Sequence, residues 1–136
     1  MLLPLIYDVK TDKYHILYQV RSEYISQPGE VSFPGGRVEN GETFQEAAIR
    51  ETCEELNLVP DQIDIWGELD YLIHQGRTIH CFVGNINIEN WEDIHPNEEV
   101  KRLFTVCIDT LLTEEPIYYK VTSTLSDAKD FPFFLG

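Results

Sequence analysis

The segment GGRVENGETFQEAAIRETCEELNL, residues 35–58, constrains the fold most, because it predicts a helix with signals at both ends. Thr43 followed three residues later by Glu46 is a capping-box pattern, which begins a helix. Asn57 comes just after the last turn, where a residue in the left-handed conformation usually ends a helix. We therefore expect a helix from about Thr43 to Leu56.

At about 100° per residue, this helix separates an apolar side from an acidic side. The apolar side, expected to face the core, holds Ile49, Thr52, Cys53 and Leu56, and the other side holds Glu51, Glu54 and Glu55. Like charges three or four residues apart repel by roughly 0.2–0.5 kcal/mol per pair, and carboxylates in the last turns oppose the helix dipole by about 0.3–1 kcal/mol each. Arg50 can offset part of this repulsion through Glu46 and Glu54, each four residues away. The remainder is either a solvated acidic surface or a set of ligands for a hard cation such as Mg²⁺.

Length and charge limit the classes of function. The chain has 136 residues, 43% of them hydrophobic, and we interpret residues 1–136 as a single domain. Its 24 acidic and 10 basic residues give a formal charge of −14, which argues against nucleic acid or an anionic membrane as a partner. The three cysteines form no CxxC pair, and we interpret them as reduced residues of a cytoplasmic protein. The apolar run over residues 1–7 lacks the basic flank and cleavage site of a signal peptide, so it predicts a first strand.

Stretches rich in β-branched and aromatic residues predict strands that alternate with turns. Gln75-Gly76 lies between two of the longer stretches and predicts a hairpin, whereas Asp8 to Lys13 predicts a looser turn. Cys107 to Thr113 predicts a short helix that Pro116 ends. The predicted strands are Leu2 to Tyr7, His15 to Val20, Val31 to Phe33, Ile65 to His74, Thr78 to Ile88, Leu103 to Ile108 and Ile117 to Val121.

Gly35 and Gly36, in the segment before the helix, let the backbone approach a ligand or metal without Cβ atoms in the way. The full pattern is Gly36, five residues, Glu42, seven residues, Arg50-Glu51, Thr52, one residue, Glu54-Glu55, one residue and Asn57. This pattern resembles the Nudix box at every charged position; Thr52 replaces a usual aliphatic residue and Asn57 a usual glycine. The resemblance implies an α/β fold, an α/β/α sandwich with a mixed β-sheet. It also implies a Nudix pyrophosphohydrolase that splits the pyrophosphate bond of a nucleoside diphosphate derivative with Mg²⁺ or Mn²⁺.

The resemblance assigns roles to individual residues. Arg50 would hold the glutamates in place, and Glu42 would support the loop or a second metal. Glu54 would be a metal ligand or would orient the attacking water. Glu99 is a second candidate for the general base, with an exposed loop acid as the alternative interpretation. The metal ligands would be Glu51, Glu55, Glu54 and the backbone carbonyl of Gly36.

The segment RSEYISQPGEVSFPGG, residues 21–36, is similar to an additional signature of coenzyme A pyrophosphatases, a Nudix subgroup, and RETCEEL, residues 50–56, is also similar to that subgroup. The resemblance implies cleavage of coenzyme A or its derivatives into 3′,5′-ADP and 4′-phosphopantetheine. The signature covers Arg21, Ser22, Gly29, Ser32, Phe33 and Pro34-Gly35-Gly36.

Four residues form the predicted substrate-binding set. Arg21 and Arg37 are of the type that binds phosphate oxygens in pairs, and both lie close to the glycines in sequence. For Arg21 the alternative is a surface ion pair with Glu23 or Glu30. For Phe33 the alternative is plain turn packing. The set is Arg21, Phe33, Gly35 and Arg37.

Nudix members usually add a strand, and often a helix, beyond a stretch such as FPFFLG, where this chain ends. We therefore expect a fold shortened at the C-terminus, with apolar residues that need cover, and we predict a homodimer. Two other functions stay open: hydrolysis of another nucleoside diphosphate derivative such as NADH or ADP-ribose, and binding of a nucleotide or metal without turnover. The apolar residues are Phe131, Phe133, Phe134 and Leu135.

Overall fold

A computed structural model describes residues 1–118, which form a mixed β-sheet with one long helix packed on it. The strands are β1 (Leu2–Asp8), β2 (Lys13–Arg21), β3 (Val31–Ser32), β4 (Ile63–Glu68), β5 (Leu72–His74), β6 (Arg77–Ile79), β7 (Phe82–Ile86) and β8 (Val100–Cys107). The α-helices are α1 (Phe44–Leu56) and α2 (Ile108–Thr113), and short 3₁₀ turns cover Pro60–Gln62 and Trp91–Asp93.

The main sheet has six strands in the order β3-β2-β1-β7-β4, with β8 also paired to β2. Strands β1 and β7 are parallel, with Leu2 opposite Phe82, and all other pairs are antiparallel. Strands β5 and β6 form a separate two-stranded sheet. The mixed sheet agrees with the expected α/β fold. The predicted C-terminal truncation and its apolar residues lie outside the described part of the chain.

Helix α1 covers one face of the sheet through two apolar clusters. One cluster joins Leu2, Ala48, Ile63 and Phe82, and the other joins Leu17, Leu56, Leu58, Ile86 and Ile94. Thr52 is fully buried, and its hydroxyl donates to the carbonyl of Ala48 at 2.7 Å. The polar hydroxyl is therefore satisfied inside the helix, which explains why threonine fits a core position.

The predicted helix signals are confirmed. Thr43 is the N-cap, its side chain accepts from the backbone of Glu46, and the reciprocal bond of the capping box is present. Asn57 closes the helix in the left-handed region, at φ 52° and ψ 49°. The predicted short helix is confirmed as α2. The hairpin at Gln75-Gly76 is also confirmed, with both residues at positive φ.

Two long predicted strands are wrong in extent. Ile65 to His74 contains most of β4 and all of β5, and Thr78 to Ile88 contains most of β6 and all of β7. Strand β4 pairs with β7 up to Glu68, after which the chain leaves the main sheet and forms the separate β5–β6 hairpin. Residues 117 and 118 lie outside any strand, and the rest of the last predicted strand lies outside the described residues. No helix among residues 1–118 is long and apolar enough to cross a lipid bilayer.

Candidate active site

Glu55 is a buried carboxylate at the C-terminal end of α1, with only 4% of its surface exposed. Its two oxygens accept hydrogen bonds from the Gln19 amide and from the backbone N–H of Gly35, both at 3.0 Å. The prediction that Glu55 lies on the outer side of the helix is therefore wrong. The buried face of α1 includes Ala47, Ala48, Thr52 and Leu56, and Glu55 lies beside Leu56 on that face.

Burial raises the pKa of the Glu55 carboxyl to about 7. The hydrogen bonds from Gln19 and Gly35 act in the opposite direction, whereas the nearby carboxylates of Glu51 and Glu99 add to the rise. A carboxylate can accept about four hydrogen bonds or equivalent contacts, and the described donors use two of them. Glu55 therefore keeps capacity to bind a cation, and it lacks a compensating positive side chain among residues 1–118.

Arg50 is the centre of an ion-pair network on the exposed side of the same helix. Its guanidinium donates to Glu42 at 2.7 and 3.1 Å, to Glu51 at 2.9 Å and to Glu54 at 3.3 Å. It also donates to the backbone carbonyl of Arg37 at 2.9 Å, which ties the helix to the loop before it. Arg50 thus contacts three glutamates of the box, and its role in holding them for catalysis stays a prediction. The predicted pair with Glu46 is absent from the described residues, because the Glu46 carboxylate serves the capping box instead.

Gly36 lies directly against the Glu51 carboxylate. A Cβ atom at Gly36 would come within 2.6 Å of Glu51 Oε1, a distance that side chains do not adopt. A side chain at position 36 would therefore displace Glu51. Gly35 is equally confined, since its Cβ would meet the Met1 Cα at 2.8 Å. The two glycines thus let the loop pass close to both Glu51 and Glu55.

Glu99 is half-buried and is held in a loop beside the end of α1. The backbone N–H of Asn97 donates to the carbonyl of Glu55 at 2.8 Å, and the Asn97 side chain accepts from the backbone N–H of Glu99. The Glu99 carbonyl accepts from Ser22 at 2.9 Å. The exposed-acid alternative for Glu99 is therefore wrong, and its charge lies near enough to raise the pKa of Glu55.

A cavity of about 870 Å³ opens beside the two glycines. All four residues of the predicted substrate-binding set line it: Arg21, Phe33, Gly35 and Arg37. The Arg21 guanidinium donates to the carbonyl and hydroxyl of Ser26 at 2.7 and 3.2 Å, and it forms no ion pair within residues 1–118. The ion-pair alternative for Arg21 is therefore wrong. Phe33 stacks on Tyr18 with ring centroids 5.2 Å apart, so packing and cavity lining coexist there.

The cavity residues that sequence reasoning missed include Phe44, Arg77 and His80. Phe44 and His80 stack with ring centroids 3.9 Å apart. The signal for Phe44 was its position seven residues before Glu51, which places both side chains on one face of a helix. Nothing in the sequence pattern placed the β5–β6 hairpin, which carries Arg77, over the same cavity.

A family model described as NUDIX domain matches residues 4–125. The chain belongs to the Nudix family. Among curated proteins, it is 39% identical over 102 residues to Nudix hydrolase 3 of Caenorhabditis elegans, covering 71% of this chain and 42% of that protein. It is 32% identical over 134 residues to the peroxisomal coenzyme A diphosphatase NUDT7 of Mus musculus, covering 96% and 55%. The chain spans about half the length of these Nudix relatives.

Solved structures with the Nudix fold superimpose on most of the chain. An Ap4A hydrolase of C. elegans in a binary complex gives a TM-score of 0.65 at 23% identity, covering 82% of each chain. The Nudix hydrolase RenU of M. smegmatis gives 0.65 at 20% identity, covering 82% of this chain and 70% of that one. At these identities the likeness shows the fold. The fold likeness agrees with the family match over residues 4–125.

Nudix hydrolases generally use divalent metal ions, and the donor set here suits such an ion. Hard cations prefer carboxylate and carbonyl oxygens, which Glu51, Glu55 and Gly36 supply. The space that a Cβ at Gly36 would fill is the space in which the Glu51 carboxylate lies. Within residues 1–118, however, no three carboxylate, imidazole or thiol groups already converge in a cluster. Glu51 and Glu54 contact Arg50 instead, so metal binding would require these side chains to turn.

Proposed function

We propose that this Nudix enzyme hydrolyses the pyrophosphate bond of coenzyme A or its derivatives, giving 3′,5′-ADP and 4′-phosphopantetheine, with Mg²⁺ or Mn²⁺ as cofactor. The observation that carries the proposal is the shared cavity. The signature residues Arg21, Phe33 and Gly35 line one space with Arg37, directly beside the carboxylates of the Nudix box. The similarity to a coenzyme A diphosphatase over 134 residues supports the same substrate class.

In this proposal, Glu51 and Glu55 hold the metal together with the Gly36 carbonyl. A bound divalent ion lowers the pKa of water and offsets charge on phosphoryl oxygens. Arg50 keeps Glu51 and Glu54 near the site through hydrogen bonds at 2.9 and 3.3 Å, from which both side chains would turn toward the ion. Glu54, whose side chain is 56% exposed, orients the attacking water from the solvent side.

Glu99 is the second candidate for general base, because it is half-buried next to Glu55. In the cavity, Arg37 binds oxygens of the diphosphate, and its side chain makes no ion pair within residues 1–118. Arg21 supports the cavity wall by holding the loop between β2 and β3, since it already binds Ser26.

Incubation with coenzyme A and Mg²⁺, followed by mass analysis, tests the proposal. We expect 3′,5′-ADP and 4′-phosphopantetheine from the wild type and none above background from Glu55→Gln. NADH and ADP-ribose serve as competing substrates in the same assay. Faster cleavage of either one would overturn the substrate assignment. Equal, negligible rates for wild type and Glu55→Gln on all three compounds would favour a binding module without turnover.

A further inference from the structure

The cavity that Gly35 and Gly36 line also contains a second group of side chains, and this group has no role in the hydrolysis as proposed above. It contains Arg77 from β6, His80 just after β6 and Phe44 from the first turn of α1. We infer that these residues form a subsite for the phosphorylated nucleoside end of the substrate, with Arg77 binding a phosphate on the ribose and Phe44 supporting the base. This inference rests on the proposed function, because it names the part of the substrate that lies away from the cleaved bond.

Charge is the first argument. The chain has only 10 basic residues and a formal charge of −14, yet Arg21, Arg37 and Arg77 all line this one cavity. Arg77 is exposed, and its side chain makes no ion pair or hydrogen bond with any residue that the structure describes. A guanidinium without a carboxylate partner in such an acidic protein is suited to a phosphate, which it can bind in a bidentate way.

Helix geometry is the second argument. Phe44, Ala47 and Glu51 are spaced at i, i+3 and i+7, so they share one face of α1. With a rise of about 1.5 Å per residue, Phe44 lies about 10 Å along the axis from Glu51. Ala47, which has a small side chain and also lines the cavity, lies between them on this face. A nucleoside spans this kind of gap, because its ribose separates the base from the 5′-diphosphate.

The aromatic contacts are the third argument. His80 lies 3.9 Å from Phe44 between ring centroids, with an interplanar angle of 24°, and its Nδ1 lies 2.8 Å from a Glu68 oxygen. These contacts hold the Phe44 ring from one side. Even so, 48% of the Phe44 surface is exposed. An exposed aromatic ring fixed at a cavity wall is a stacking platform for a base, as in other nucleotide-binding proteins.

The experiment compares coenzyme A with dephospho-coenzyme A, which lacks only the phosphate at the ribose 3′ position. For Arg77→Gln we expect kcat/KM for coenzyme A to fall about 10- to 100-fold, the loss typical of a hydrogen bond to a charged group. The same variant should change kcat/KM for dephospho-coenzyme A less than about twofold. For Phe44→Ala both substrates should lose about tenfold, because both carry the adenine base.

Arg102→Gln is the matched control, since Arg102 is exposed and lies over the Phe104 ring outside this cavity. It should leave both rates within about twofold, and circular dichroism melting should confirm that each variant folds. The subsite is refuted if Arg77→Gln reduces both substrates equally or behaves like Arg102→Gln.

A direct binding measurement separates this inference from the proposed function. If the wild type cleaves neither substrate, the proposed function fails, and calorimetric titration with 3′,5′-ADP and with 5′-AMP decides the subsite alone. Tighter binding of 3′,5′-ADP that Arg77→Gln abolishes would support the subsite. Equal affinity for the two nucleotides in the wild type would overturn it.

Discussion

Replacing Glu55 by glutamine should stabilise the metal-free protein, and the gain should depend on pH. Burial raises the pKa of this carboxyl from its ordinary 4.5 to about 7. Because one pKa unit corresponds to about 1.4 kcal/mol, full ionisation of Glu55 costs the folded state about 3 kcal/mol. A raised pKa means that the folded state binds the proton more tightly than the unfolded state. In the wild type, protonated Glu55 therefore contributes its full stabilisation of the folded state below about pH 4.5. This contribution is lost as the pH rises through about 7.

Glutamine imitates the protonated carboxyl in size and lacks the charge. The Oε1 atom of Gln19 is buried and has no hydrogen-bond partner among the described residues. Rotation of that amide would offer an acceptor to the amide introduced at position 55, as it would to protonated Glu55. We therefore expect Glu55→Gln to exceed the wild type in stability by less than about 1 kcal/mol at pH 5 and by about 3 kcal/mol at pH 8.

Urea denaturation of both proteins from pH 5 to pH 8, with a chelator present, measures this difference. Titration of the groups that do not interact with Glu55 is common to both proteins and cancels in the comparison. Glu54→Gln is the matched control, because Glu54 is the neighbouring residue and its side chain is 56% exposed. The free energy of unfolding of Glu54→Gln should stay within about 0.5 kcal/mol of the wild-type value from pH 5 to pH 8. The reasoning would be refuted if the difference in unfolding free energy between Glu55→Gln and the wild type did not change with pH. It would also be refuted if Glu55→Gln were less stable than the wild type at pH 8.

Three further predictions concern the same site and the assembly. Arg50→Lys should lower kcat by about 10- to 100-fold with a small change in melting temperature, since one ammonium cannot keep the contacts to Glu42, Glu51 and the Arg37 carbonyl together; an unchanged kcat would contradict this. Gly36→Ala should weaken Mg²⁺ binding, because the added methyl group displaces Glu51. Gly35→Ala should mainly lower the melting temperature, because its methyl group meets the Met1 backbone. Calorimetric titration with Mg²⁺ and thermal melting distinguish the two effects. Small-angle scattering should show a homodimer, and a monomer at working concentration would count against that prediction.

Local signals in the sequence were sufficient for the helix and its ends. The capping box joins Thr43 to Glu46, and the helix end joins Asn57 to the carbonyl of Cys53. Each of these two signals depends on residues within about one helical turn. The hairpin at Gln75-Gly76 likewise depends on two neighbouring residues. The fixed spacing from Gly36 to Glu55 was enough to identify the family, because it encodes one loop followed by one helix.

Contacts between distant segments were not predictable in the same way. The burial of Glu55 depends on Gln19, 36 residues earlier on β2. One signal was present: Gln19 shares a strand face with Leu17, so it is a polar residue at a core position. The breaks in the long predicted strands depend on where the β5–β6 hairpin leaves the sheet, and β-propensity alone continues across such a break.

The structure divides the acidic residues of α1 into two groups with different electrostatics. Arg50 contacts Glu42, Glu51 and Glu54, so one positive charge already reduces the repulsion among these carboxylates. Glu55 lies on the other side of this network, buried and hydrogen-bonded only to neutral donors. Burying a charge without a counter-charge costs free energy. We therefore expect Glu55 to contribute most to the binding free energy of a divalent ion. Arg50 would mainly determine where Glu51 and Glu54 contact that ion. Loss of Glu55 should therefore weaken Mg²⁺ binding more than loss of Glu54, and titration of the two glutamine variants with Mg²⁺ would show whether burial ranks these ligands.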